Sequence, residues 1–173
     1  IPAIKYRCAN FKFNPVKNSI IVEKLEFICK KENINTKKES LEIISNISGG
    51  DFRKSINLLQ SVYMKDNSIK KNSIYETAGV PQNKNLKKLI KIVKSKKKID
   101  EIIEKSRFIL KDGFSVSVII NKTFEYIYEN KLYDKNNLPK LISELSNIEN
   151  NVAKSTCGEL YFSVFICTLV KFL

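Results

Sequence analysis

Apolar residues recur along this chain every three or four positions and seldom every second one. Ile21, Leu25 and Ile28 would share one side of a helix, as would Leu41, Ile44 and Ile47 further on. That spacing buries one stripe of a helix and leaves the rest in water. Residues 1–13 differ: Ile1, Ile4, Phe11 and Phe13 show little helical period, and Phe11-Lys12-Phe13 alternates like a short strand. They read as the end of a preceding domain running into a linker. The expected fold class is all-α.

Start and stop signals divide the helical pattern. Asn14-Pro15 predicts a first helix, with Asn14 as N-cap and Pro15 at the first helical position, running to about Asn33. Thr36-Lys37-Lys38-Glu39 has the form of a capping box opening a second helix, which Gly49-Gly50 ends. Asp51 is the expected cap of a third, reaching about Lys65, with Phe52, Ile56, Leu59 and Tyr63 as its apolar face. A short fourth helix is expected near Asn72–Thr77, and Gly79-Val80-Pro81 is a natural boundary. Residues 14–79 therefore read as one compact unit of three to four short helices.

Residues 80–173 read as a helical bundle. Leu86, Leu89, Ile90 and Val93 form one stripe. Ile99, Ile102, Ile103 and Ile109 predict a single helix to Lys111, ended by Asp112-Gly113. Val116, Ile119, Ile120, Phe124 and Ile127 give the next, and Leu138, Leu141, Ile142, Leu145 and Ile148 the one after. Short connections favour antiparallel neighbours. The last helix spans about Gly158 to Leu173. Its apolar run from Leu160 falls short of the roughly 20 residues that cross a bilayer, and Lys171 interrupts it. It reads as a buried helix, and no membrane partner is expected.

Charge adds a partner class. Thirty-one Lys and Arg against 18 Asp and Glu leave a net +13, which suits nucleic acid and equally suits a solvated basic surface. Arg7, Arg53 and Arg107 are the sole arginines; selection for bidentate phosphate recognition enriches Arg, whereas a lysine-rich chain also arises from a biased genome. Lys84 to Lys98 places eight lysines around an apolar stripe, readable as a solvated helix face or as contacts to DNA phosphates. Phe114, Phe124, Tyr126, Tyr128, Tyr161, Phe162 and Phe165 resemble stacking platforms in type, but their helical spacing suits core or subunit contacts better.

The absence of His excludes Ser-His-Asp and Cys-His catalysis and any His metal ligand within the chain. Cys8, Cys29, Cys157 and Cys167 include no C-x-x-C pair, so reduced thiols are expected and no metal site. A chain that begins Ile1-Pro2 without Met is read as a piece of a longer protein.

Arg53 is the residue with the clearest local meaning. It falls in the first turn of the third helix, where a cation opposes the helix dipole and free N–H groups favour an anion. An arginine is understandable there beside a phosphate. Arg53, Asn57 and Gln60 would form a polar stripe fit to line the rim of a nucleotide pocket. The competing reading pairs Arg53 with Asp51 or another nearby acid. Arg7, between Tyr6 and Cys8, has no comparable local argument.

Taken in order, these segments resemble the small subunits of replication factor C, clamp-loader proteins of the AAA+ class, most closely the eukaryotic ones. Pro2-Ala3-Ile4-Lys5-Tyr6-Arg7-Cys8 with Phe11-Lys12-Phe13 is similar to the family's proline–Ser-Arg-Cys–Phe-x-Phe segment, with Tyr6 in place of the usual Ser. Leu25 to Ile34 resembles its first lid helix, and Gly49-Gly50-Asp51-Phe52-Arg53-Lys54-Ser55-Ile56-Asn57-Leu58-Leu59-Gln60 its sensor-2 helix. The likeness is specific over residues 2–60 and mostly pattern over 83–173.

The resemblance implies an AAA+ lid over 14–79 followed by a collar bundle over 80–173. It implies that Arg7 is an arginine finger acting in trans on ATP in a neighbouring subunit. Arg53 would be the sensor-2 arginine at the γ-phosphate of its own subunit's ATP, with Asn57 at the pocket rim. ATP and Mg²⁺ would belong to the full-length parent. The partners implied are other clamp-loader subunits through the collar, with the sliding clamp and primer–template DNA through the whole complex, in the nucleus. The chain has no G-x-x-x-x-G-K-[ST] loop and no acidic metal-binding motif after a hydrophobic strand, so it is not expected to hydrolyse ATP alone. Two other readings stand beside this one: a basic helical nucleic-acid-binding module without nucleotide sensing, and a related AAA+ subunit of checkpoint or cohesion complexes.

Overall fold

The computed structural model describes residues 4, 6–12, 14–95, 97–155 and 157–173. Regular structure among them is entirely helical. The chain divides between Ala78 and Gly79 into two compact units, each with its own apolar core. Phe11 and Lys12 are exposed and lie in no strand; Ile1, Pro2, Ala3, Lys5 and Phe13, which the reading of the N-terminal segment also used, lie outside the described residues.

The first unit holds four helices: α1 (Asn18–Lys31), α2 (Lys38–Ser48), α3 (Phe52–Asp66) and α4 (Lys71–Ala78). Its core is built from Ile21 and Leu25 of α1, Leu41 and Ile44 of α2, and Leu59 and Val62 of α3, with Ile74 of α4 fully enclosed. Burying a Leu or Ile contributes about 1.5–3 kcal/mol each, so these four amphipathic helices, each marginal alone, hold one another. The Ser40 hydroxyl donates to the Ile69 carbonyl (3.3 Å), and Ser73 bonds the Asp66 carboxylate, tying the loop before α4 to its neighbours.

Three sequence expectations shift in this unit. Asn14-Pro15 does not open α1, which begins at Asn18 with extended backbone at Lys17. The segment before it is held elsewhere: the Val16 N–H donates to the Gly50 carbonyl (3.1 Å), and Pro15 packs on Gly50. The capping box also fails to form. α2 has Lys37 at its N-cap position with no side-chain cap, and Thr36 reaches only the Lys37 carbonyl at 3.5 Å. Glu39 instead faces the Lys71 ammonium at 3.9 Å. In α3, the buried positions are Ser55, Leu58, Leu59 and Val62, while Phe52, Ile56 and Tyr63 are half-buried. The face is rotated because packing against α2 and α4 selects Leu58 and Val62, which the stripe left out.

The second unit is a bundle of α5 (Asn83–Val93), α6 (Ile99–Ser106), α7 (Phe108–Lys111), α8 (Val116–Glu129), α9 (Leu138–Lys154) and α10 (Gly158–Phe172). The expected single helix from Ile99 to Lys111 is broken at Arg107. There the Arg107 N–H bonds Glu104 and the Leu110 N–H bonds the Arg107 carbonyl, three-residue spacings that tighten the backbone and restart it. α10 is the inner helix, with Phe162, Phe165, Ile166 and Leu169 fully enclosed. It packs along α9 and touches α5, α6 and α8. No helix among the described residues is long and apolar enough to cross a membrane. Ile142 turns outward from α9, 44% exposed, so the α9 stripe is the narrower Leu141, Leu145 and Ile148.

Candidate functional site

The start of α3 gathers the expected site residues of the first unit. Two glycines precede it, Gly49 at φ +62° closing α2 and Gly50 at φ +87°. Glycine reaches this left-handed region without the steric penalty that side chains meet there. The reversal lets Asp51 take the N-cap position, where its Oδ1 accepts the Lys54 N–H at 3.0 Å. Ser55, fully buried, donates its hydroxyl to the Asp51 carbonyl at 2.8 Å. The cap is thereby held from both sides.

Arg53, Asn57 and Gln60 follow at i, i+4 and i+7 and are all exposed on one face of α3. Arg53 forms no ion pair among the described residues; the Asp51 carboxylate caps the backbone instead. The pairing with a nearby acid, weighed from sequence, is therefore not made. The N–H groups of Phe52 and Arg53 have no acceptor among the described residues. A free guanidinium beside free helical N–H groups is an arrangement that favours an anion.

Arg7 sits in an exposed turn whose Arg7 and Cys8 N–H groups both donate to the Ile4 carbonyl at 3.1 Å. It too has no ion pair among the described residues, and Tyr6 beside it is 90% exposed. No described hydrogen bond joins Arg7 to Arg53 or Asn57. Arg107, by contrast, lies 3.6 Å from Glu104.

A cleft of about 430 Å³ beside the stripe was not anticipated. Ile28 and Ile34 line one part of it, and Ile56, Gln60, Tyr63 and Met64 of α3 the other, with Met64 74% exposed. The signal was present in Met64, an apolar residue off the expected stripe. The aromatic residues separate as well: Phe162 and Phe165 are core, and Phe114, Phe124, Tyr126 and Tyr161 are half-buried. Tyr128 is exposed and stacked on Tyr133, ring centres 5.9 Å apart. No three His, Cys, Asp or Glu side chains among the described residues come together as a metal site.

Two linked helical units, the first with a glycine reversal leading into a capped helix with a free arginine, are the parts expected of an AAA+ lid and the domain that follows it. Comparison with known proteins agrees. The family model for the RCF1/5-like AAA+ ATPase lid domain matches residues 23–64, and that for the replication factor C C-terminal domain matches residues 81–167, half of the chain. The chain belongs to the replication factor C family. It is 26% identical to a probable replication factor C subunit 5 of Caenorhabditis elegans over 99% of this chain and 46% of that protein. Identity is 30% with the probable replication factor C subunit 5 of Dictyostelium discoideum, covering 92% of this chain and 46% of the relative. With replication factor C subunit 2 of Saccharomyces cerevisiae it is 33%, covering 79% and 40%. The chain spans less than half the length of these relatives.

Proposed function

We infer that this chain is the lid-and-collar part of a clamp-loader subunit, which senses ATP and helps hold a five-subunit assembly that places a sliding clamp on primed DNA in the nucleus. The observation that carries the reading is Arg53: exposed, unpaired, and in the same first turn as the free N–H groups of Phe52 and Arg53, in a chain of the replication factor C family.

ATP with Mg²⁺, held by the ATPase core of the parent, supplies the phosphoryl group whose state is sensed. Arg53 donates to an oxygen of that group from the lid of the same subunit, and its planar fork suits such an anion. Asn57 stands one turn further along the same face as a neutral hydrogen-bonding group at the rim. Arg7 reaches a neighbouring subunit's nucleotide, so that site is complete only at the interface. The residues fit the group: both guanidinia are free of carboxylates, whereas Arg107 is not.

Assembly through the second unit is supported by apolar side chains left in water. Leu160 and Val164 of α10 are 62% and 42% exposed, and Ile142 adds to them on α9. Area of this kind contributes about 25 cal/mol per Å² when a neighbour covers it.

The test is co-assembly. The chain, extended upstream to its full parent, is expected to co-purify with the other replication factor C subunits and to support ATP-dependent loading of a clamp on primed DNA. The upstream sequence should carry a phosphate-binding loop and an acidic metal-binding motif. A parent lacking both, or one that assembles with no other subunit, would overturn the reading.

A further inference from the structure

The lysine run that opens the second unit is not used by nucleotide sensing or by assembly. Lys84, Lys87, Lys88, Lys91 and Lys94 are all exposed. At 100° per residue they occupy one face of α5 and its C-terminal cap. Leu86, Leu89, Ile90 and Val93, on the opposite face, are buried in the bundle. α5 contains no acidic residue. None of the five lysines takes part in an ion pair among the described residues, although Lys105, Arg107, Lys122 and Lys171 of the same unit each find a glutamate. Asp112 approaches the flank of α5 only through Asn85, which donates to it at 3.3 Å.

This arrangement is unfavourable to the isolated helix. Lys84–Lys88 and Lys87–Lys91 repel at i,i+4, and Lys84–Lys87, Lys88–Lys91 and Lys91–Lys94 at i,i+3. Lys84 also stands in the first turn, against the helix dipole. Lys97 extends the charge, close enough to the Lys105 ammonium to lower the pKa of Lys105, the largest cause of that shift. A surface of like charges with no internal counter-charge is relieved by an external polyanion.

We propose that the exposed face of α5 binds the sugar–phosphate backbone of duplex nucleic acid, without sequence preference. The inference rests on the second unit alone and does not depend on the nucleotide-sensing reading. The lysines rise about 15 Å along a straight helix, in steps of about 4.5 Å except between the adjacent Lys87 and Lys88, against one duplex charge per about 1.7 Å of axis. Lysine ammonium groups are point charges suited to phosphate contact, and the face has no Arg for bidentate reading of bases. Phe108, half-buried with the Lys88 ammonium 4.3 Å from its ring centre, is covered by that cation and offers no open face for stacking single-stranded bases. A membrane is disfavoured because the apolar side of α5, which would enter the lipid, is already buried in the bundle. A protein partner is disfavoured because the ring beside these lysines, Phe108, is half-buried under Lys88 and does not protrude as an anchor.

The experiment is a fluorescence-anisotropy titration of a 30-base-pair duplex with the 173-residue chain, without nucleotide or other subunits, between 50 and 200 mM salt. Five phosphate contacts predict a slope of log affinity on log salt of about −4.5, or roughly 500-fold weaker binding across that range. Lys87→Gln and Lys91→Gln should each reduce the slope by about 1, with helicity unchanged by circular dichroism. Replacing all five by Gln should abolish most of the salt dependence. Replacing Lys30, Lys31, Lys37 and Lys38 of the first unit should leave it intact. The proposal fails if the duplex does not bind at 50 mM salt, or if the single variants bind as the unaltered chain does. It also fails if polyglutamate or anionic vesicles compete as well as duplex at equal charge.

Discussion

Gly50 lies so close to Pro15 that a Cβ on the glycine would fall 2.7 Å from the proline Cβ. The Val16 N–H to Gly50 carbonyl bond makes the same join from the backbone. The segment carrying Arg7 is thereby fastened, a few residues downstream, to the start of the helix carrying Arg53.

Gly50→Ala should therefore cost more than Gly49→Ala. Both positions have positive φ, worth about 1–2 kcal/mol against a side chain. Gly49 has open space around a built Cβ, whereas Gly50 meets Pro15, adding about 1–3 kcal/mol of overpacking. Urea denaturation of the two variants side by side gives the difference; equal losses would show that the Pro15 contact is easily moved.

Asp51→Ala should destabilise the first unit by about 1 kcal/mol through loss of the cap on the Lys54 N–H. Asp51→Asn keeps an acceptor oxygen and should recover most of it. Denaturant midpoints report the comparison, and an Asn variant as weak as Ala would assign the effect to charge instead of the cap.

Arg53→Ala and Arg7→Ala should separate by site in the reassembled complex. Arg53→Ala is expected to reduce ATP turnover in its own subunit, and Arg7→Ala in the neighbour. A guanidinium removed from a transferring phosphoryl group commonly lowers turnover by about 10³-fold or more when it acts as a finger. Single-turnover assays with one competent site per complex make the assignment, and unchanged turnover in both variants defeats it.

Cys29 should be the slow thiol. Burial first, and the Glu26 carboxylate second, push its pKa up. Cys8, Cys157 and Cys167 are exposed. A disulfide-exchange reagent at neutral pH should titrate those three rapidly and Cys29 only on unfolding. The sign for stability follows: the unfolded thiol ionises first, so the Cys29 contribution is whole below the unfolded pKa and is lost as pH rises through the folded one. A Cys29→Ala variant should lose that part of the alkaline decline in stability.

The helices themselves were legible because their apolar period is strong and glycines mark the ends at Gly49, Gly79 and Gly113. Three of the helix starts were less so. Asn14-Pro15 carries a good local start signal, but Gly50 captures Pro15 and Val16 and moves the start to Asn18. Thr36 sits one residue too early, with Lys37 at the cap. The break at Arg107 has no glycine or proline to announce it. In each case a tertiary contact or backbone adjustment outweighs a local preference, which no single segment contains. The polar stripe of the candidate site was readable because Arg53, Asn57 and Gln60 need only the helical period to align. The freedom of Arg53 was not, since it depends on Asp51 being engaged with a backbone amide.

That engagement leaves Arg53 and Lys54, both in the first turn of α3, without an ion pair among the described residues. With its acid occupied, the helix start carries a positive charge against its own dipole, and an arriving anion removes the conflict. On the proposed function, occupancy and helix order would be linked quantities: an anion at Arg53 would tighten the turn from which Ser55, Leu58 and Leu59 enter the core. Amide exchange at residues 52–55 should slow when nucleotide is bound to the full parent, and exchange indifferent to nucleotide would break the link. On that reading the lid would report on its ligand through its own stability.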